Sequence, residues 1–398
     1  MVEDIHISTT SNEFKHICTL LKKTIEIINS PARSFTYHFN NCSILSNSAI
    51  AIIGATSNLI EKLYEKKITD FLSSQDFIVH IHEAVFMAIL ESEESKKLLS
   101  KKIQEKINLN PNMSINEITK EVIDNQINSI LSSPNSFRPL LSNYINQKVE
   151  RIGVLFNVES MTNQLKGQLI HCNFLSHFVS DFESPYPEGK YIGFRVHKNN
   201  NEYDTEKIIN HIKNEWLTDD RVKLSPRLKE DVVSRIFEIY QNAFGHGIKN
   251  VETPRNVISC GDYDEKNDTI SLCVVDLGGG ICKNVMGYLS KAPHLKPLIS
   301  DNASAIRWAL ERGNTTRTDS IVDDMPRGVG LDLLKEFVAL NKGKLEIYTN
   351  DCLAFVDAQG NYDIKQLDFD FPGTLALITI NCSQEVFYSY NDEAPNYF

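Results

Sequence analysis

Hydrophobic and polar positions in the first half of the chain alternate between helix-like and strand-like patterns. Apolar residues recur at helical spacing over residues 12–29 and predict an amphipathic helix. Residues 34–39 alternate apolar and polar side chains and predict a strand, and the apolar run that opens at Ser48 predicts a buried helix. Strand-like segments return at 151–157 and 191–196. This order of elements favours an α/β fold for the N-terminal region.

Residues 76–150 differ from their surroundings in composition, being rich in Lys, Glu, Asn and Ile. Breaks at Asn110-Pro111 and Ser133-Pro134 separate helical pieces, because the residue before a proline avoids the helical conformation. Ser114 and Glu117 have the spacing of a capping box at the start of one such helix. We interpret this segment as a helical insertion.

The second half begins with a strong helix signal at Ser225-Pro226, where serine suits the N-cap and proline suits the first turn. That helix is predicted to end at Gly245 or Gly247. The elements predicted after it are strands at 255–260 and 269–276, a helix over 329–340, and strands near 344–349, 352–357 and 374–381. A second α/β domain is therefore expected.

Composition and charge limit the environment and the partners. The 398 residues allow two or three domains, and 41 Lys and Arg against 52 Asp and Glu leave a net charge of −11. That balance argues against nucleic acid as a partner and against a polybasic membrane anchor. No segment approaches the run of about 20 apolar residues that a membrane span requires, and the eight cysteines form no C-x-x-C pair. With a polar, acidic start unlike a signal peptide, we expect a cytoplasmic protein with reduced thiols and no direct membrane contact.

The helix that follows Ser225 carries the first candidate site. Glu238 and Asn242 lie four residues apart and so share one face with Arg235. An amide oxygen can ligate Mg²⁺, and a carboxylate can orient and deprotonate a nucleophile. A solvated polar face with a Glu–Arg ion pair explains the same pattern.

Three glycine-containing motifs follow. Asp276 ends an apolar strand just before Gly278 and Gly280; an acid there can accept a hydrogen bond from an exocyclic amine, while the glycines let a flat ring or a phosphate approach the backbone. Gly328 and Gly330 lead into a helix, whose free N–H groups favour phosphate. A Gly-Thr pair then opens the last predicted strand. Each motif is also compatible with a simple turn.

The order of these motifs, E-x3-N, D-x-G-x-G, G-x-G-L and G-T, resembles that of the GHKL ATPase superfamily, which includes gyrase B, heat-shock chaperones, sensor histidine kinases and mismatch-repair ATPases. The resemblance covers about residues 222–383. It implies Glu238 as catalytic base, Asn242 as Mg²⁺ ligand and Asp276 as the residue that recognises the adenine amino group. The other residues that it places around ATP are Gly278, Gly280, Gly328, Gly330 and Thr374.

Residues 281–327 occupy the position of the mobile ATP lid in that family. They show no strong period, and by their position Thr315, Thr316, Arg317 and Arg327 are candidate phosphate partners. An ordinary polar loop with surface charges accounts for the same residues.

The form E-x3-N-A-x2-H-G resembles most closely the anti-sigma-factor serine kinases, whose partners are STAS proteins. Residues 35–63 resemble the strand, turn and apolar helix of a STAS domain, with Ser48 where those partners carry a phosphorylatable serine. Ser46 and Ala49 stand where that pattern has Asp and Gly, and a plain helix N-cap also explains Ser48. Ser48 is thus a candidate phosphoacceptor.

We therefore expect an α/β protein in which a STAS-like region precedes a GHKL α/β sandwich, a mixed sheet covered by helices with a mobile ATP lid. The expected segments are a STAS-like region over 1–75 and 151–200, a helical insertion at 76–150, a connection at 201–221, a GHKL domain over 222–383 and a tail at 384–398.

The expected function is Mg²⁺-dependent ATP binding and slow hydrolysis, as a nucleotide-gated switch in a bacterial-type signalling, stress or defence pathway. A partner protein would contact the STAS-like region or the insertion, and a homodimer stays open. A serine/threonine kinase of the anti-sigma-factor type and a non-catalytic ATP-sensing module are the alternatives.

Overall fold

The computed structural model of this mixed α/β protein describes residues 2–183, 191–198, 202–247, 255–311, 330–359, 361–390 and 392–393. Its strands are β1 (Val2–Ser8), β2 (Ser34–Asn41), β3 (Gly153–Phe156), β4 (Tyr191–His197), β5 (Lys223–Leu224), β6 (Val257–Asp264), β7 (Thr269–Asp276), β8 (Lys344–Val356), β9 (Tyr362–Asn381) and β10 (Phe387–Tyr388). Its α-helices are α1 (Phe14–Asn29), α2 (Asn47–Leu72), α3 (Gln75–Glu91), α4 (Glu93–Leu109), α5 (Ile115–Leu131), α6 (Pro134–Lys148), α7 (Asn163–His171), α8 (Phe174–Phe178), α9 (Glu202–His211), α10 (Pro226–Asn242), α11 (Ile281–Tyr288), α12 (Asn302–Ala309) and α13 (Gly330–Leu340). Two π-helical turns, Ile212–Trp216 and Ala243–Gly247, continue α9 and α10. No described helix is both long enough and apolar enough to cross a membrane.

The chain forms two compact units, one from residues 1–62 and 154–398 and the other from 63–153. In the larger unit β1, β2 and β3 form a sheet in that order, and β1 runs parallel to β2. Helix α1 makes the crossover between these two strands, with Ile17 and Leu21 fully buried. The helix predicted over 12–29 and the strand predicted over 34–39 are confirmed, whereas β1 was not predicted.

Five strands form a sheet in the order β4-β6-β7-β9-β8, and β5 and β10 pair in parallel as a separate two-stranded sheet. Every described pair in the five-stranded sheet is antiparallel, so the expectation of a mixed sheet is wrong for these strands. Two of the four pairs, β6 with β7 and β8 with β9, are consecutive strands joined by short turns, which makes them antiparallel. Strand β4, which the sequence grouped with the N-terminal region, is an edge strand of this sheet and pairs with β6.

Helix α10 begins as predicted, with the Ser225 hydroxyl accepting the Leu228 N–H at 3.2 Å and proline in the first turn. It buries an apolar face in a core shared with the five-stranded sheet and packs against α13. Among the buried members of that core are Val232, Val233, Ile236 and Tyr240 of α10 and Val274 and Ile378 of the sheet. The packing leaves the opposite face of α10 to its polar residues.

The smaller unit consists of the end of α2 and the helices α3 to α6. The helix breaks at Asn110-Pro111 and Ser133-Pro134 are confirmed, since α4 ends at Leu109 and α6 begins at Pro134. The capping box of Ser114 and Glu117 is also present. Six apolar side chains form the buried core of this unit: Val85, Ile89, Leu99, Ile118, Val122 and Ile127.

Candidate functional site

A buried carboxyl group lies at the end of β7. Asp276 is 2% exposed and pairs in register with Thr374 on β9, and its Oδ1 accepts the Gly278 N–H at 2.8 Å. Burial raises the pKa of Asp276 from 3.8 to about 7, and the hydrogen bonds from Gly278 and Thr374 and the charge of Arg255 offset this only in part. The carboxyl group therefore exchanges its proton near neutral pH.

The glycine turn after Asp276 is held against β8 and β9. Gly280 has φ 80°, and a Cβ atom there would lie 2.5 Å from Asn350 Oδ1. Gly373 has φ 152°, and its Cβ atom would lie 2.1 Å from the carbonyl oxygen of Asp276. Because a side chain fits at neither position, Gly280 allows Asn350 of β8 to pack against the turn, and Gly373 allows β9 to approach the end of β7 closely.

Two residues that the sequence analysis did not single out brace this turn. The Thr349 hydroxyl donates to the Gly373 carbonyl at 3.0 Å and accepts the Ile281 N–H at 2.8 Å. Asn350, whose own φ is 53°, donates from Nδ2 to the Gly279 carbonyl at 3.2 Å. The Asn-Asp pair at 350–351 is a turn signal, but the β8 bulge that aims Asn350 at the glycines depends on pairing with β9.

The end of α10 lies against the strands that carry Asp276 and Thr374. Asn242 is the last residue of α10, and the π-helical turn after it packs against β7, β9 and α11. Glu238 lies one turn earlier with its side chain 22% exposed, and its Oε2 lies 3.8 Å from Arg235 Nη1. The Glu–Arg ion pair expected as the alternative explanation is thus present.

Most of the phosphate partners expected from the sequence fall in segments that the structure does not describe. Thr315, Thr316, Arg317, Arg327 and Gly328 lie outside the described residues. Gly330 begins α13, which packs against α10.

The first part of the expected lid, residues 281–311, is not a loosely patterned loop. It contains α11 and α12, and Cys282, Val285 and Ile306 are buried in the core of the larger unit. The expectation of a lid over all of 281–327 is therefore wrong for this part. The short helices were missed because each offers only two turns of apolar spacing.

The described hydrogen bonds of the Ser48 hydroxyl join it to Ser46 and Asn12 and not to the residues around Asp276. The Ser48 side chain is fully buried, and its hydroxyl donates to Asn12 Oδ1 at 2.6 Å. Ser46 is the cap of α2 instead, since its hydroxyl accepts the Ala49 N–H at 3.2 Å, so the N-cap interpretation of Ser48 is wrong. A kinase could reach the Ser48 hydroxyl only after the start of α2 had separated from Asn12.

The donor set at α10 suits a nucleotide-bound magnesium ion better than a resident metal. Among the described residues no group of three or more His, Cys, Asp or Glu side chains could hold a metal ion. Mg²⁺ bound with a nucleotide takes most of its oxygen ligands from phosphates and water, so one or two protein oxygens suffice. The Asn242 amide carries such an oxygen.

No model of a protein family matches the chain, and a search of curated proteins finds no significantly similar sequence. The functional interpretation therefore depends on the geometry of the site and on its motifs.

Proposed function

We propose that residues 222–383 are a GHKL-type module that binds Mg·ATP and hydrolyses it slowly, acting as a nucleotide-gated switch. The observation that carries the proposal is Asp276, a carboxyl group buried at a strand end with its pKa raised to about 7. A buried acid with a strongly shifted pKa beside a glycine-rich turn marks a candidate binding site.

The adenine amino group is the proposed further donor to this carboxylate. An exocyclic amine would donate to the ionised Asp276, and the Thr374 hydroxyl beside it would bond the ring or a bridging water. Gly278 would leave room for the ring beside Asp276, Gly280 lets Asn350 pack against the turn, and Thr349 and Asn350 hold the turn in place. Arg255 supports the charged form of Asp276, and its Nε has no hydrogen-bond partner among the described residues.

The polar face of α10 supplies the chemistry. Mg²⁺, when bound with the nucleotide, would neutralise phosphate charge. Asn242 offers it an amide oxygen, and Glu238 orients the attacking water and takes its proton. Residues 312–327 are the remainder of the segment that has the position of the ATP lid in the motif order. By that position, their Thr and Arg side chains are the proposed phosphate partners.

The N-terminal region is proposed to be STAS-like and, together with the helical segment 76–150, to report nucleotide occupancy to a partner protein. The parallel pair β1 and β2 with its α1 crossover, followed by the buried helix α2, supports this assignment. The setting would be a bacterial-type signalling, stress or defence pathway in the cytoplasm.

The full chain with Mg²⁺ and γ-labelled ATP tests the proposal, with free phosphate and labelled protein followed together. A slow ATPase releases phosphate without labelling the chain, whereas label on the chain would favour the serine kinase alternative. Neither product, with ATP still bound, would leave an ATP-sensing module.

Glu238→Gln should keep Mg·ATP binding but lose most of the turnover, because the amide keeps the shape and cannot accept a proton. Glu336→Gln on the exposed face of α13 is the matched control and should keep full turnover. Full phosphate release by Glu238→Gln would remove Glu238 from the role of base.

A further inference from the structure

A chain of buried polar groups connects β4, β6 and the end of α9. Nε2 of His197 on β4 lies 2.7 Å from the Ser259 hydroxyl on β6, and the same hydroxyl lies 3.2 Å from Nε2 of His211. Nδ1 of His211 lies 3.0 Å from Glu215 Oε2, and Arg195 Nη2 donates to both oxygens of that carboxylate at 3.0 and 3.2 Å. Both imidazoles and the hydroxyl are buried.

The following arrangement of protons satisfies every bond in this chain. His211 donates its Nδ1–H to Glu215 and accepts the Ser259 proton at Nε2, and the Ser259 oxygen then accepts the Nε2–H of His197. His197 is neutral in that arrangement. A further proton on His197 would create a buried cation, which is unfavourable without a paired anion.

The groups around His197 oppose that charge. Arg195 precedes it on β4, His211 faces it from α9, and the Tyr240 ring of α10 stands edge-on at 4.9 Å between ring centroids. Burial first, and then the charges of His211 and Arg195, hold the pKa of His197 well below its usual range.

Three further groups complete the surroundings of this chain. Burial pushes the pKa of Glu215 up, but the hydrogen bonds and charges of His211 and Arg195 bring it down to about 2, so Glu215 is ionised and already paired. The Arg221 guanidinium donates to the Glu215 main-chain carbonyl. Cys273 on β7 lies near Tyr240 and is a neutral thiol, because burial raises the pKa of Cys273.

We propose that the chain of His197, Ser259, His211 and Glu215 is an acid-sensitive latch, which holds β4, α9 and α10 on the sheet while the His197 imidazole is neutral and loosens them when His197 takes a proton. The latch does not depend on nucleotide binding. Tyr240 lies on α10 between Glu238 and Asn242, so loosening would reach the nucleotide site as well; that consequence alone rests on the proposed function.

The sign of the pH dependence follows from linkage. An unfolded histidine binds a proton with a pKa of about 6.5, and folded His197 does so only at lower pH, so acid favours the unfolded state. Above pH 6.5 the stabilisation is complete. Below pH 6.5 the unfolding equilibrium constant rises about tenfold per pH unit, until the folded-state pKa is reached.

Tryptophan fluorescence during urea unfolding of the full chain tests the latch, because both tryptophans, Trp216 and Trp308, lie in the larger unit. We compare the wild type with His197→Gln, which can still donate to Ser259, and with His294→Gln at an exposed histidine. Below about pH 6.5 the stability of the wild type and of His294→Gln should fall relative to that of His197→Gln with a slope of one proton, because the other titrating groups, Asp276 included, act equally in all three proteins. An equal slope in all three proteins would overturn the proposal.

If His197→Gln does not fold, hydrogen exchange of the wild type decides. After correction for intrinsic rates, acidification from about pH 7.5 to 5.5 should reduce the protection of amides in β4 and α10 by at least tenfold. Helix α5, which contains no histidine, should keep its protection. Unchanged protection in β4 and α10 would overturn the latch.

Discussion

Replacing Asp276 by asparagine should stabilise the larger unit while removing its capacity for nucleotide. The folded-state pKa of about 7 exceeds the 3.8 of a free side chain, so the folded protein holds a proton that the unfolded chain has already released. The resulting penalty on folding is absent below about pH 3.8, grows up to about pH 7 and is constant above it. Asparagine carries no charge and escapes this penalty.

The size of the effect follows from the shift. About three pKa units at 1.36 kcal/mol each give about 4 kcal/mol near pH 8. The asparagine introduced by Asp276→Asn would still accept the Gly278 N–H through its Oδ1, but its amide would meet the Thr374 hydroxyl, which must rotate to accept; losing one such bond costs about 1 kcal/mol. We expect a gain of about 3 kcal/mol in the free energy of unfolding near pH 8 and a loss of about 1 kcal/mol near pH 3.5.

Urea unfolding followed by the fluorescence of Trp216 and Trp308 measures this difference for the larger unit alone. Asp363→Asn is the matched control, because Asp363 is an exposed acid on β9 whose Oδ1 accepts the N–H of the next residue. The control should change stability by less than about 0.5 kcal/mol at either pH. If Asp276→Asn is destabilised at pH 8, or changes stability equally at both pH values, the buried Asp276 carboxyl group does not have a raised folded-state pKa.

Three further results are expected. The affinity of the wild type for Mg·ATP should fall about tenfold per pH unit below pH 7, because Asp276 must lose its proton to accept the adenine amine; calorimetry that finds constant affinity contradicts this. Gly280→Ala should cost at least about 1–3 kcal/mol of stability, because φ is positive and Asn350 occupies the space. Gly287→Ala in α11 should instead raise the free energy of unfolding by up to about 1 kcal/mol, because nothing lies within 4 Å of the Cβ position there. Equal effects of the two changes in urea unfolding would show that crowding at Gly280 is not the cause.

Local signals in the sequence were enough for the elements whose ends are set by nearby residues. Helix α10 is an example, because Ser225, Pro226 and its apolar periodicity act within the helix itself. The helix break before Pro111 and the capping box at Ser114 belong to the same class. Pairing between distant strands could not be predicted in this way.

Strand β4 shows why the rest could not be found. Its alternation predicts a strand, but its pairing with β6 rather than with the N-terminal sheet depends on residues about sixty positions away. The long β8 and β9 pair was broken into shorter strands because the bulge near Asn350 interrupts the apolar pattern. For the same reason the motifs pointed to Asp276 and Thr374, whereas Thr349 became visible only when β8 was placed beside β9.

The most direct test of the account is a calorimetric titration of the full chain with a non-hydrolysable ATP analogue and Mg²⁺ near neutral pH. The wild type and Asp363→Asn should bind the analogue at one site, and Asp276→Asn should show no binding heat although it unfolds at a higher urea concentration. A wild type that binds no analogue at millimolar concentration, or an Asp276→Asn variant that binds with unchanged affinity, would contradict nucleotide recognition at Asp276.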